Sequence, residues 1–488
     1  MNLSEMFEGA PSLEINDLST DSRKVCTNSM FFCLDGLVND GHKYVTQAIQ
    51  NGAICIVHSK EIKQPKKDIA YIRVENVNAT LNRIANRFYG APSTKMKVFG
   101  ITGTNGKTTV ASIIRDVYSK FEPCGYIGTI STSYGDVVLP PTLTTPDTIT
   151  LHSTLNDMVT SGMRAVALEV SSHGLELGRV NSIDFDIAVF TNLTHDHLDF
   201  HGTIENYFDA KKKLFRMMKK DGTAILNADD ACYEELCIAC SCKYVSYGIT
   251  NAATYHADNI KLGIQGSTFD LTCFNKTYHI ETNLVALYNI YNLVGAIAAL
   301  SESGLDINMV ITHLNSLEQI DGRLESINEG QPFHVIVDFA HTPDGLEKIY
   351  EYAKMITTTN HKIISVFGSA GKRDTKKRKT FGEVSSKYAN TIILTEDDPR
   401  DESPKAIADE IKTGITNTNT IFIEDRYDAI RQAIEMANVD DTVLILGKGD
   451  ELFMHREFGK EDYQGDHNVA REVIRKYYLG VEDSSYND

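Results

Sequence analysis

The sequence predicts a three-domain α/β protein. Three observations carry this. Short apolar runs with strand character alternate with helix-period segments, a pattern that predicts parallel sheets covered by helices. A Gly/Pro break near 90–95 (GAPST) interrupts both regular structures. The alternation then starts again near Arg323. The expected units are residues 1–95, 96–322 and 323–488.

In the first unit, a small α/β domain, Ala53 to Val57 (AICIV) reads as a buried strand after the helix-like Tyr44 to Asn51. The central unit holds the runs Val98–Thr102, Ala165–Val170, Ile187–Thr191 and Thr223–Asn227. Between the first two, Val110, Ile113, Ile114, Val117, Tyr118 and Phe121 form one apolar helical stripe. Residues 254–283 alternate instead like antiparallel strands, an expected small appended sheet. The last unit repeats the α/β pattern with His334–Asp338, Ile363–Phe367, Thr391–Thr395 and Val443–Leu446, a Rossmann-like domain. The acidic tail from Val481 is expected to fray.

Composition narrows the function. The chain has 488 residues, 42% hydrophobic and 23% charged, which excludes global disorder and coiled coil. No run approaches the roughly 18 apolar residues of a membrane span, so membrane insertion is not expected. Met1 to Ser12 carries Glu5 and Glu8 rather than a basic apolar leader, which points to the cytoplasm. A net charge of −18 repels nucleic acid, so any anionic substrate must be gripped by local basic groups. Nine cysteines, an odd number, read as reduced thiols. Cys232, Cys237, Cys240 and Cys242 lie close together, but the second pair overlaps the first, and zinc spacing fails.

Gly103-Thr104-Asn105-Gly106-Lys107-Thr108-Thr109 follows a predicted strand and opens a predicted helix. In that context glycines let backbone N–H groups approach phosphates, and the helix N-terminus adds partial positive charge. Lys107 can reach the outer phosphates, and the Thr108 hydroxyl can hold Mg²⁺. The common eight-residue spacing is broken by Ile101. Glu169 closes a buried run, where α/β sheets place ligand-binding groups; it reads as a Mg²⁺ ligand or as a capped loop carboxylate. Thr194 to His201 is dense in potential ligands, and by spacing alone also suits zinc or manganese. Lys211, within a lysine run, reads alone as a solvated cation. Asn289 and Asn292 share a helix face at i, i+3.

The loop TGTNGKTT resembles that of the Mur ligases, ATP-dependent amide-forming enzymes of peptidoglycan precursor synthesis. Further blocks match in order: Thr20–Arg23, Thr144–Pro146, Glu169–Gly174, Thr191–Gly202, Ala210-Lys211, Gly322–Glu325, Asp338–Gly345, Asp397–Arg400 and Gly447–Gly449. The resemblance spans nearly the whole chain and is strongest to the branch that adds a diamino acid to UDP-MurNAc-L-Ala-D-Glu. It implies ATP held by residues 103–109 with Asn292, Arg323 and Asp338, with Asn289 and His341 as neighbours. It implies two Mg²⁺ ions on Thr108, Glu169, His197 and a Lys211 carbamylated by CO₂, leaving His195 and His201 in support. Lys107, Glu169, His197, Lys211 and Arg323 become the catalytic set.

For the substrates, the resemblance places the uridine end at Ser22, in a uridine-binding first domain, and the muramoyl dipeptide at Thr144, Thr145, Ser171 and Arg179. The amino acid falls to Arg373, Asp397, Asp398, Pro399, Arg400, Gly447 and Glu451. The chain departs from common family residues at Leu143, Leu177, Asp398 and Asp450. Arg400 suits the extra carboxylate of meso-diaminopimelate, whereas the acidic pair Asp397-Asp398 also suits the cation of L-lysine. Diaminopimelate is the favoured reading and L-lysine the alternative. The implied reaction activates the D-glutamate carboxylate as an acyl phosphate, in a monomeric enzyme. A folylpolyglutamate-type ligase and a non-catalytic nucleotide-binding relative are the rivals.

Overall fold

The computed structural model describes residues 1–35, 40–317 and 319–480, so the tail from Val481 lies outside the described residues. Three sheets follow one another along the chain. The first has four parallel strands in chain order: Asp17–Ser19, Ser29–Phe32, Ala53–His58 and Ala70–Arg73. Met30, Phe32, Cys55 and Val57 face the helix Val77–Phe88, while Phe31 and Ile56 face Val45 and Ala48 of the helix Val45–Gln50. That alternation is the two-residue period of a sheet covered on both sides. The expected Tyr44–Asn51 helix is a 3₁₀ turn, Gly41–Tyr44, running into this short helix.

The second sheet has eleven strands, and seven neighbours at its heart are parallel: Tyr255–Leu262, Lys243–Gly248, Thr223–Asn227, Ile187–Phe190, Lys97–Thr102, Ala165–Glu169 and Cys124–Ile127. Helices Lys107–Tyr118 and Leu287–Glu302 cover one face, and Thr148–Thr160 and Ile204–Arg216 the other. The strands Tyr255–Leu262, Ser267–Cys273 and Lys276–Thr282 are antiparallel to one another, as expected for 254–283. They extend the edge of the main sheet, because Tyr255 and His256 pair in parallel with Tyr247 and Gly248. Val170 and Thr191 lie just past their strands but still donate backbone hydrogen bonds to Ile101 O and Thr102 O.

The third sheet runs Glu325–Ile327, His334–Asp338, Thr442–Leu446, Ile363–Phe367, Thr391–Leu394, Asn419–Phe422; only the first is antiparallel to its neighbour. Helices Pro343–Ile356, Lys377–Tyr388 and Pro404–Lys412 pack on one face, and Arg426–Met436 with Asp466–Val473 on the other. No helix among the described residues is long and apolar enough to cross a membrane.

Candidate active site

The site forms where the loops after Lys97–Thr102, Ala165–Glu169 and Ile187–Phe190 emerge from three adjacent parallel strands. The loop at 103–106 is stitched to its neighbour: Thr104 N and Asn105 N donate to Asn192, and Thr191 Oγ1 donates to Asn105 O at 2.6 Å. Gly106 caps the helix Lys107–Tyr118 with φ +86°, and a methyl there would collide with Asn292 Oδ1. Only glycine therefore lets Asn292 close on the loop. Asn292 donates to Asn289 Oδ1 at 3.2 Å, so the two predicted asparagines act as one unit.

Lys107 Nζ is folded back onto Gly103 O and Thr104 O at 3.1 and 2.8 Å. Lys211 is also buried, contrary to the solvated reading of its run, and donates to Gly103 O at 2.7 Å. Burial pushes its pKa well below the usual lysine range, and the Lys107 charge adds to that. Glu169 is fully buried and accepts from Thr129 N at 2.9 Å, Thr129 Oγ1 at 3.2 Å and the Tyr126 hydroxyl. His197 adopts φ +53°, and burial pushes its pKa down to about 3, leaving a neutral imidazole at pH 7. His195 and His201 are otherwise engaged, with Asp374 Oδ2 at 3.1 Å and Ser172 Oγ at 3.0 Å. Thr108, Glu169 and His197 offer a hydroxyl, a carboxylate and an imidazole, donor types that suit a divalent cation. The Lys211 amine joins them only if converted to an oxygen ligand.

The third sheet closes over the loop. Arg323 Nη2 donates to Thr108 Oγ1 at 3.3 Å, with its guanidinium 4.3 Å from the Phe339 ring centre. Asn105 Nδ2 donates to Asp344 Oδ2 at 2.9 Å. Between them lies a cavity of about 640 Å³, lined by the phosphate loop, Asn292, Arg323, Asp338 and His341. Asp338 accepts from Leu324 N at 2.6 Å and Ala340 N at 2.7 Å, so it also pins the turns carrying Arg323 and His341. Burial raises its pKa to about 6 against the pull of Arg323.

Residues 14–89 match the Mur ligase family catalytic domain, 101–300 the Mur ligase middle domain, and 322–449 the Mur ligase glutamate ligase domain. The chain belongs to the Mur ligase family. It is 36% identical over 478 residues, 96% of each chain, to the UDP-N-acetylmuramoyl-L-alanyl-D-glutamate--2,6-diaminopimelate ligase of Halalkalibacterium halodurans. It is 39% identical over 457 residues, 92% of each chain, to ligase 1 of that name from Clostridium acetobutylicum. A solved structure titled as the same ligase aligns with TM-score 0.68 and 29% identity, covering 98% of this chain and 99% of the other. The fold is shared with MurF of Thermotoga maritima, at TM-score 0.67, 18% identity and coverage of 95% and 98%.

This Mur ligase brings the predicted dipeptide residues together. Thr145 Oγ1 bonds Glu169 O at 2.8 Å and Ser171 Oγ at 3.0 Å, and Arg179 Nη1 donates to Thr145 O at 2.8 Å. Thr144 Oγ1 lies 3.2 Å from Thr129 Oγ1, while Leu143 and Leu177, two of the departures, are exposed. Ser22 stands apart in the first domain, buried, donating to Gln47 Oε1 at 2.8 Å. The four clustered cysteines are free thiols packed against the central core.

At the far end, Arg400 Nη1 donates to Gly371 O at 2.6 Å; among the described residues no carboxylate pairs with it or with exposed Arg373. Arg373 acts on Arg400, as do Asp398, Asp397 and Glu451, and it also acts on His173, which packs against His197 and His201. The acidic pair is not free as the sequence suggested. Asp398 Oδ1 accepts from Lys448 Nζ at 2.8 Å and His455 N at 2.9 Å, and Lys448 Nζ also binds Glu451. Asp397 is buried, which raises its pKa, and a methyl on Gly447 (φ +113°) would collide with its Oδ2. Sequence reasoning missed Tyr126, Thr129, Asp344, Asp374 and Lys448. Of these, Asp344 and Lys448 had a local signal, their places in the blocks Asp338–Gly345 and Gly447–Gly449.

Proposed function

We propose that this chain is an ATP-dependent ligase joining meso-diaminopimelate to the D-glutamate of UDP-MurNAc-L-Ala-D-Glu, acting as a cytoplasmic monomer. Residues 1–95 would hold the uridine end, 96–322 ATP, and 323–488 the amino acid. ATP fits the cavity with its phosphates on residues 103–109 and its nucleoside toward Asn292 and Asp338. A glutamate carboxylate oxygen attacks the γ-phosphorus, and ADP leaves. The amine of the incoming amino acid then attacks the acyl carbon, forming the amide and releasing phosphate and a proton. Lys107 and Arg323 neutralise the converging anions, which would otherwise repel each other. Thr145, Ser171 and Arg179 orient the dipeptide, and closure of the third domain shields the acyl phosphate from water.

Thr108, Glu169, His197 and carbamylated Lys211 would hold two Mg²⁺ ions, which supply charge neutralisation at the phosphates. Carbamylation suits the buried Lys211 amine, whose pKa burial lowers: the uncharged nitrogen bonds CO₂, loses a proton and becomes an anionic oxygen donor. One observation carries the choice of amino acid. Among the described residues no carboxylate bonds directly to Arg400 or Arg373, while Asp398 is committed to Lys448. A pocket of that charge receives a distal carboxylate better than a lone ammonium.

Phosphate release with ATP, Mg²⁺ and UDP-MurNAc-L-Ala-D-Glu tests the proposal, with diaminopimelate compared against L-lysine and the product weighed by mass spectrometry. Tripeptide with diaminopimelate is expected. Turnover with L-lysine alone would overturn the amino-acid reading, and no product with either would overturn the ligase reading.

A further inference from the structure

Lys448 has no assigned role, yet it is the most enclosed cation at the amino-acid end. Its side chain is fully buried between Asp398 and Glu451, with Nζ 5.1 Å from the Phe453 ring centre. Asp398 and Glu451 keep 12% and 24% of their side-chain surface exposed, so the anions look out while the cation sits behind them. We propose that Lys448 is a positioning and specificity residue: its charge cancels that of Asp398 and so excludes amino acids whose distal end is only cationic.

The inference rests on the diaminopimelate reading above. Diaminopimelate ends in an ammonium and a carboxylate, which together are neutral. L-lysine ends in an ammonium alone. A pocket holding Arg373, Arg400 and a Lys448 cation shared by Asp398 and Glu451 therefore takes a distal ammonium with its carboxylate better than an ammonium alone. Without Lys448, Asp398 keeps only the His455 N–H and stands as an uncancelled anion at the pocket wall, so the preference for diaminopimelate weakens. Lys448 keeps its proton because Glu451, Asp397 and Asp398 outweigh the cost of its burial.

The test is the ratio of kcat/KM for diaminopimelate over L-lysine in full-length enzyme, for wild type, Lys448→Gln, Asp398→Asn and the double variant. Lys448→Gln lowers the ratio at least about tenfold, because charge complementarity is lost at a partly buried site. Asp398→Asn raises it, since a net cation is left behind. The double variant returns to within about threefold of wild type, as coupled neighbours require. A merely structural lysine would change both substrates alike and show no compensation. If Lys448→Gln does not fold, the Asp398→Asn arm decides by itself. Wild-type turnover of diaminopimelate with no ratio change in the folded single variants overturns the inference and leaves the ligase reading standing. Wild-type inactivity with both amino acids overturns the reading and the inference with it.

Discussion

Arg426→Met is expected to loosen the third domain before it abolishes anything else. Arg426 and Asp466 are both essentially inaccessible. Nε and Nη2 donate to the two Asp466 oxygens, each at 2.7 Å. Nη1 reaches Glu396 O at 3.1 Å and Nη2 also reaches Leu446 O at 2.9 Å. Methionine keeps much of the stem but none of these donors, so Asp466 retains only the Tyr463 hydroxyl at 2.7 Å. Breaking one side of a buried pair costs about 3–5 kcal/mol, because the remaining charge is stranded. At about 2–4 °C per kcal/mol, the domain's transition should fall by roughly 10 °C. Glu396 and Leu446 immediately precede Asp397 and Gly447, so KM for the amino acid should rise at temperatures where the domain is still folded. Calorimetry, with hydrogen exchange on the strand Thr442–Leu446, reads both effects. Arg426→Met/Asp466→Leu removes both charges and should recover most of the loss. A single variant within about 1 kcal/mol of wild type, or a double variant no better than the single, would refute the stranded-charge reasoning.

Gly447→Ala should raise KM for the amino acid at least about tenfold, since the methyl meets Asp397 and φ stays positive; unchanged kinetics would show that the pocket yields. Lys211→Met should lower kcat by about 10² or more while ATP still binds, and ¹³C-bicarbonate should label wild type but not the variant by NMR. Glu451 offers a pH test. Burial raises its pKa from 4.5 to about 7, so between those values the folded chain holds a proton that the unfolded chain has lost. Stability therefore falls as pH rises through that window, and Glu451→Gln should flatten that part of the stability profile measured by denaturant titration.

The fold was largely legible because its signals are local. Buried parallel strands read as apolar runs, and each predicted run begins on or next to a strand, ending at most one residue beyond it. The antiparallel strands from Tyr255 were legible as strands but not as an extension of the central sheet. That pairing joins Tyr247 to Tyr255 across a turn, and no periodicity encodes which edge a strand chooses. The phosphate loop was legible for the same local reason: its glycines and Lys107 must be adjacent in sequence to wrap a phosphate. Lys211 was misread from its own residues because a run of three lysines looks solvated. On a helix, however, phase decides which lysine of the run faces inward; Lys212 pairs with Asp209 and Glu235 while Lys211, the first of the three, points inward.

The amino-acid end shows where local reading stops. Asp397 and Asp398 are adjacent, and adjacency suggests an acidic patch for a cationic ligand. The structure splits them: Asp398 (φ +46°) turns to Lys448 fifty positions away, while Asp397 faces Gly447 and is pushed toward its neutral form by burial. One residue's charge is thus paired with a distant partner and its neighbour's is disfavoured by desolvation, and neither effect is written at 397–398. Arg400 has no directly bonded carboxylate among the described residues, and its own backbone is held in the left-handed region at φ +55° with its N–H donating to His455 O at 3.0 Å. A non-glycine residue keeps that conformation only where surrounding contacts hold it. The hairpin carrying His455 therefore fixes where the Arg400 guanidinium points, and on the proposed reading that direction, more than the count of acidic residues, is what a distal carboxylate would meet.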